Sequence, residues 1–237
     1  KKLYFNLLTR KYFSKAAIVH AITAQEKQNL KQLLAVDNVI EIPNLIKNKK
    51  TSVASKFNNE KYILYIGRLD EIKGIDILIK SFIKINPPHV KLKIAGGFND
   101  YKEYLEKLIK NATIEPEKIE FLGFVKGDEK ELLIKNAIVI TVPSFSEVIG
   151  MVNLEAAILK TPVITTHQTG LSKLWQENGG FLIQPNEQEL TATLQEVLKW
   201  TDEERIEQGE KLYNFVLETY TWKNRILDWE KLYKRAL

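Results

Sequence analysis

The chain has 237 residues, 44% of them apolar and 27% charged, with a formal net charge of +5 and no cysteine. Those are ordinary values for a globular protein able to bury a sizeable core. They exclude disulfides, thiolate metal sites and a cysteine nucleophile, and no stretch approaches the ~20 apolar residues of a membrane-spanning helix. His20, His89 and His167 are scattered, without metal-ligand spacing. The mild positive charge fits an anionic ligand, an anionic membrane surface or nucleic acid, or simply a composition rich in Lys, Ile and Asn. Residue 1 is Lys, so an earlier natural start is expected. The opening Lys1-Lys-Leu-Tyr-Phe lacks the apolar region of a signal peptide.

Residues 1–15 are basic and amphipathic and predict a helix, to lie either on a membrane or on protein. Residues 16–22 read as a buried strand. Thr23, with Glu26 three residues on, predicts a capped helix over 24–35. Residues 39–42 are a short strand running into Pro43-Asn44. Residues 47–60 are polar and aperiodic, which marks a linker. Alternation is then regular. Strands are predicted at 62–66, 90–95, 119–122, 138–142, 162–165 and 181–183. Helices are predicted at 76–85, 101–110, 128–136, 151–159, 171–176 and 187–200. This pattern means βαβ units and an α/β, Rossmann-like parallel sheet with helices on both faces. The strands read as near-continuous β-branched runs, as expected when helices cover both sheet faces. Two further helices follow, over 202–219 and 222–236. In this architecture ligands bind at the carboxyl ends of the strands.

Four loops leave those ends. Gly67-Arg68-Leu-Asp-Glu-Ile-Lys73-Gly74 puts cations beside a helix start, where the dipole disfavours them. An anion such as a diphosphate would resolve the conflict; the other reading is a solvated basic turn partly neutralised by Asp70 and Glu71. Ala95-Gly96-Gly97 permits close backbone approach, though Gly-Gly after a strand is a common turn. In Gly123-Phe124-Val125 the aromatic either borders a flat base or belongs to the core. Pro143 then ends a strand, and Ser144-Phe-Ser-Glu147-Val-Ile149-Gly150-Met151-Val152 leads into a helix whose free N–H groups favour an anion. Glu147 and Glu155 bracket that start. Glu155 lies in an otherwise apolar helix, a costly position for an acid without a partner. Ligand hydroxyls would supply one; equally, the acids form a structural pair capping nearby N–H groups. No Walker spacing, no Gly-x-Gly-x-x-Gly after a strand and no Gly-x-Ser-x-Gly elbow occurs.

In order and spacing, Gly67-Arg68…Lys73-Gly74, Ile94-Ala95-Gly96, Phe121-Leu122-Gly123-Phe124-Val125, Pro143-Ser144…Glu147-x7-Glu155-Ala156 and Pro162-Val163 resemble the carboxyl-terminal half of retaining GT-B glycosyltransferases of family four. The resemblance covers residues 16–237. It implies the donor half of a GT-B fold and a nucleotide-sugar donor (UDP-, GDP- or ADP-linked). It implies no metal and no other cofactor, and the sequence holds no Asp-x-Asp cluster. Catalytic roles fall to Arg68, Lys73 and Glu147. Arg68 and Lys73 hold the diphosphate and stabilise charge on the leaving group, and Glu147 contacts hydroxyls of the transferred sugar. Glu155 takes the ribose hydroxyls, the N–H groups around Gly150, Met151 and Val152 cradle phosphate, and Phe124 and Val125 lie near the base. Gly67, Gly96 and Ile149 complete the expected donor site.

By the same resemblance, residues 1–46 are the end of an amino-terminal acceptor domain, 47–60 a hinge, 61–219 the nucleotide-sugar domain and 220–237 a crossover helix. A glycan or lipid-linked acceptor is implied, in bacterial surface polysaccharide or glycolipid assembly. The expected location is the cytoplasm, with peripheral contact to the inner face of the plasma membrane where the acceptor is a lipid; nucleic acid is not an implied partner. Because the acceptor domain would be nearly all missing, the chain alone is expected to bind donor weakly and transfer little. The chain departs from the family pattern at Leu45, Ile149, Lys160 and Lys173, where Gly, Phe, Gly and Glu are usual. The rival readings are a noncatalytic nucleotide- or sugar-binding module and a nucleotide-sugar epimerase or phosphorylase on the same fold.

Overall fold

The computed structural model describes residues 10–48 and 60–237. Residues 1–9 of the expected first helix and 49–59 of the expected linker lie outside the described residues. The chain divides into compact units: Glu218–Leu237 joins the segment that ends at Lys47, and Asn48–Leu217 forms the other.

In the smaller unit, α1 (Arg10–Phe13), β1 (Val19–Ala21), α2 (Ala24–Leu34) and β2 (Val39–Glu41) precede the last helix, α10 (Trp222–Ala236). β1 and β2 pair in parallel, Val19 opposite Val39, and Val19, Ala21, Leu34 and Val39 bury together. The strand starts at Val19, later than the apolar run suggests. The Asn38 side-chain amide donates to the carbonyls of Ala16 and Ala17, at 2.7 and 2.9 Å, where a ladder partner would otherwise be needed. Thr23 caps α2 as its sequence predicts, accepting from Glu26 N–H at 3.0 Å. The Glu26 carboxylate accepts from Ile22 N–H at 2.7 Å, one residue earlier than a capping box places it. Ile46 bridges to Thr221 and donates its N–H to Tyr220, 2.8 Å. On α10, Trp229 lies 4.9 Å from the His20 ring and 6.2 Å from Trp222, centroid to centroid.

The larger unit is built on a parallel sheet of six strands: β3 (Lys61–Ile66), β4 (Val90–Ala95), β5 (Ile119–Gly123), β6 (Val139–Val142), β7 (Val163–Thr166) and β8 (Phe181–Ile183). The helices are α3 (Ile75–Ile85), α4 (Asp100–Lys110), α5 (Gly127–Asn136), α6 (Met151–Ile158), α7 (Leu174–Glu177), α8 (Glu187–Val197) and α9 (Asp202–Thr219). Spatial order is β5-β4-β3-β6-β7-β8. From β3 the chain builds outward in one direction through β4 and β5. It then returns beside β3 and builds the other way. The order therefore reverses between β3 and β6, which is where ligands bind in open α/β sheets.

Side chains alternate across the sheet with period two. Ile63, Tyr65, Leu92 and Ile94 bury on one face with Leu78, Phe82, Leu190 and Leu194 of α3 and α8. Tyr62 and Lys93 face the other way, where Tyr62 Oη donates to Leu133 of α5 at 2.8 Å. Helices thus cover both faces, as the sequence predicts. The second face is unusually polar: Glu60 bonds Lys93 and lies 2.9 Å from Lys91, and Lys91 also bonds Glu120. Lys93 Nζ sits 4.4 Å above the Tyr62 ring. Those lysines hold the Glu60 carboxyl below its ordinary value, Lys93 contributing most.

Predicted element ends shift where local bonds intervene. α8 stops at Val197, three residues early, because Lys199 and Trp200 N–H groups close tight turns onto Glu196 and Val197. α7 starts at Leu174, after Leu174 N–H is capped by the Ser172 hydroxyl at 3.2 Å. Lys160, where the family pattern has Gly, holds a left-handed φ of 61°. Its ammonium pairs with Glu210 at 2.5 Å and lies 5.0 Å over the Tyr213 ring, contacts that offset the ~1 kcal/mol a glycine would spare.

Candidate donor site

The loop after β3 leaves the sheet at Gly67, whose N–H donates to Ala95 at 3.0 Å. The Tyr65 hydroxyl donates to the Arg68 carbonyl at 2.7 Å and fixes the exit; burial pushes that hydroxyl far above its ordinary pKa. Asp70 accepts from Ile72 N–H at 3.1 Å and starts a single tight turn, Glu71–Lys73. Gly74 then takes φ 65° and opens α3. A side chain there would be strained twice, since a Cβ would also lie 2.2 Å from the Pro143 carbonyl oxygen.

The loop after β6 is locked to this turn by backbone. Phe145 N–H donates to the Ile72 carbonyl at 2.8 Å. The consequence for side chains is direct: Lys73 Nζ donates to Glu147 Oε2, with only 13% and 21% of the two side chains exposed. Sequence reading placed the cation and the acid on one crevice; the structure puts them in contact. Arg68 is different. Its side chain is 78% exposed and its guanidinium reaches only to 4.0 Å from Asp70, so it is available to a ligand.

Gly150, at φ 67°, begins α6 without a capping side chain. A Cβ on it would stand 2.9 Å from Asn153 Nδ2 and 3.1 Å from Glu147 Cγ. Asn153 N–H closes back onto Gly150 at 2.8 Å, and its amide donates to Ile149 at 2.9 Å. Met151 is exposed and Val152 half-buried at this helix start, whereas the Ile149 side chain is 1% exposed, leaving only its backbone for a ligand. Among the described residues, the buried Ser144 Oγ in the loop and Asn153 Oδ1 in α6 find no hydrogen-bond partner.

The outer loops complete the rim. Gly96 N–H donates to Gly123 at 2.8 Å, and a Cβ on Gly96 would meet the Gly67 carbonyl oxygen at 2.2 Å. Phe124 is 76% exposed and belongs to the surface, which excludes the core reading of that aromatic. Val125 next to it is buried. Phe98 is exposed too, with Lys102 Nζ 4.7 Å above its ring.

One expectation is corrected. Glu155 is neither buried nor alone. Its side chain is 34% exposed, and Lys130 of α5 donates to its Oε2 at 2.6 Å. The burial argument failed because the apolar residues of α6 face the sheet while Glu155 faces α5. Sequence reading missed Lys130. The available signal was a cation in the first turns of a helix that otherwise opens with Asp128 and Glu129, directly after the Gly123-Phe124-Val125 loop. Among the described residues no three His, Asp or Glu side chains group to hold a metal, and no helix is long and apolar enough to cross a membrane.

A six-stranded parallel sheet covered by helices on both faces, with its order reversing between β3 and β6, is the Rossmann-like architecture of one half of a GT-B glycosyltransferase. The chain belongs to the glycosyl transferases group 1 family, whose model matches residues 46–214. It is 34% identical over 183 residues to a glycosyltransferase of Methanocaldococcus jannaschii, an alignment covering 76% of this chain and 46% of that protein. A glycosyltransferase from Rickettsia africae superposes with a TM-score of 0.84 at 18% identity, over 99% of this chain and 66% of that one. The Anabaena protein HepE, solved in complex with UDP-glucose, gives 0.78 at 21% identity, over 99% and 70%. The chain spans about half or less of the length of the curated relatives it matches.

Proposed function

We propose that this protein transfers a sugar from a nucleotide-sugar donor to a hydroxyl acceptor with retention of configuration, without a metal ion, and that the unit described above binds the donor. The observation that carries the reading is the contact of Lys73 with Glu147 at the point where the strand order reverses, beside the uncapped start of α6.

In the reaction the bond between the sugar C1 and the diphosphate oxygen breaks. A bond from C1 to the acceptor oxygen forms on the same face, and the acceptor proton passes to the departing diphosphate. Negative charge grows on the leaving group, so fixed cations there lower the barrier. Lys73, held in place by its partner, and the freely reaching Arg68 supply them. N–H groups at Met151 and Val152 add the helix-terminus contribution. Glu147 orients sugar hydroxyls, Glu155 takes the ribose, and Phe124 with the backbone at Gly96 borders the base. A uridine-linked donor is the first to test, since HepE was solved in complex with UDP-glucose; GDP- and ADP-linked sugars complete the panel. The acceptor is a glycan or lipid-linked sugar of cell-surface assembly, met in the cytoplasm or at the inner membrane face.

Calorimetric titration with UDP, GDP and ADP and their glucose esters tests the reading. Binding of at least one, lost in Lys73→Ala, is expected. No heat with any nucleotide refutes it and favours a module without donor chemistry.

A further inference from the structure

We propose that Lys130 is a positioning residue for the nucleotide ribose: it holds one oxygen of Glu155 so that the other is presented to the vicinal diol. The proposal rests on the donor-site reading above and extends it to a residue on a different helix.

The geometry is specific. Lys130 is the fourth residue of α5, and its Nζ donates to Glu155 Oε2 at 2.6 Å. α5 is tied to the sheet and to the end of α6 by side-chain hydrogen bonds. Its Leu133 carbonyl accepts from Tyr62 Oη of β3 at 2.8 Å, and its Ile134 carbonyl accepts from the buried Thr161 hydroxyl, just past α6, at 2.9 Å. Val125, buried ahead of the helix, anchors its leading loop. Lys130 therefore approaches Glu155 from a fixed platform. An unpartnered carboxylate on α6 would sample several rotamers, and each bond to a ligand would carry the entropy of freezing them. A charge-assisted bond to Oε2 removes that freedom before the nucleotide arrives. It leaves Oε1 as the acceptor for ribose O–H groups. With 26% and 34% of the two side chains exposed, a ligand can reach the pair.

A merely structural ion pair would make the same contact, so the test reads the diol itself. Affinities of the 237-residue chain for UDP and for 2′,3′-dideoxy-UDP are measured for the natural sequence, Lys130→Met, Lys130→Gln, Glu155→Gln and the Lys130→Met/Glu155→Gln double variant. Thermal melting verifies that each is folded. The natural protein should prefer UDP by about tenfold, the scale of hydrogen bonds to a charged group. In Lys130→Met and Lys130→Gln that preference should fall to about twofold, with affinity for the dideoxy nucleotide unchanged. The double variant should be no worse than Glu155→Gln alone, and Lys130→Arg should restore most of the preference. An undiminished preference in both neutral variants overturns the proposal, as does tighter UDP binding, which would make Lys130 a competitor for Glu155. Failure of the natural protein to bind UDP, GDP or ADP overturns the donor-site reading and the proposal together; binding with an unaltered diol preference overturns the proposal alone.

Discussion

Glu147→Gln should tighten UDP binding. In the free protein the Lys73 ammonium bonds directly to the Glu147 carboxylate, and both are largely screened from water. An arriving diphosphate meets a cation and an anion side by side, and their fields nearly cancel. Gln has the same length and shape, keeps an oxygen to accept from Lys73 and removes the negative charge. At roughly 6–8 Å and an effective dielectric of about 20–40, one unit repulsion amounts to about 1–3 kcal/mol. Counterions and rearrangement reduce this to about 1 kcal/mol, or about fivefold in affinity. Lys73→Met should act in the opposite sense. It leaves Glu147 without its cation next to the phosphates and should weaken UDP by about 2 kcal/mol, roughly thirtyfold. Titration calorimetry at low and high salt reads both changes, each shrinking as salt rises. UDP-glucose supplies the control. If Glu147 orients sugar hydroxyls as proposed, Glu147→Gln loses those contacts, and its gain for UDP should not extend to the sugar nucleotide. Equal or weaker UDP binding by Glu147→Gln would refute the reasoning, because the acid would then be holding Lys73 in its working position more than neutralising it.

Gly74→Ala should destabilise the protein by about 3 kcal/mol, from a left-handed φ and a 2.2 Å approach to Pro143, lowering the melting temperature by about 6–12 °C. Gly97→Ala, with open space around it, should change it by less than about 0.5 kcal/mol, and comparable losses in the two variants would contradict the packing argument. Phe124→Ala should leave thermal stability unaltered, since the ring is largely exposed, while weakening nucleotides by about 1–3 kcal/mol if the ring stacks on the base; free ribose phosphate, lacking a base, should bind both forms alike. Glu60→Gln should alter acid unfolding. Lys93 and Lys91 depress the Glu60 pKa below 4.5, so its contribution is fully present above that pH and is lost as pH falls through the lower folded value. The variant should be less stable at neutral pH and show a shallower fall in stability below about pH 4.5; parallel denaturation curves over that range would show the cluster to be inert.

Much of the sheet was legible because its signal is local. Residues 90–95, with apolar positions alternating with Lys91 and Lys93, and the apolar run 181–183 became strands with those bounds. Gly74 and Gly150 were legible as helix starts. The pairings were not. Lys73 and Glu147 lie 74 residues apart and meet only because β3 and β6 are neighbours; sequence order says nothing of that adjacency. Lys130 and Glu155 are nearer in sequence but sit on different helices, and no periodicity links one helix surface to another. Glu155 was misjudged for a related reason: an apolar helix was taken to be enclosed on every side, whereas α6 leaves one stripe open. At β1, Asn38 overrode an apolar run by bonding two carbonyls from across the turn, a choice that propensity does not register.

The close backbone approaches at Gly74 to Pro143 and at Gly96 to Gly67 divide each loop into a root and a tip. Roots touch through main chain, so almost any residue gained, lost or enlarged there displaces a neighbouring loop as well. Tips, carrying Phe98, Phe124, Phe145 and Val148, meet solvent and can vary singly. A substitution at a root is therefore felt by two loops at once, while one at a tip is felt by that tip alone.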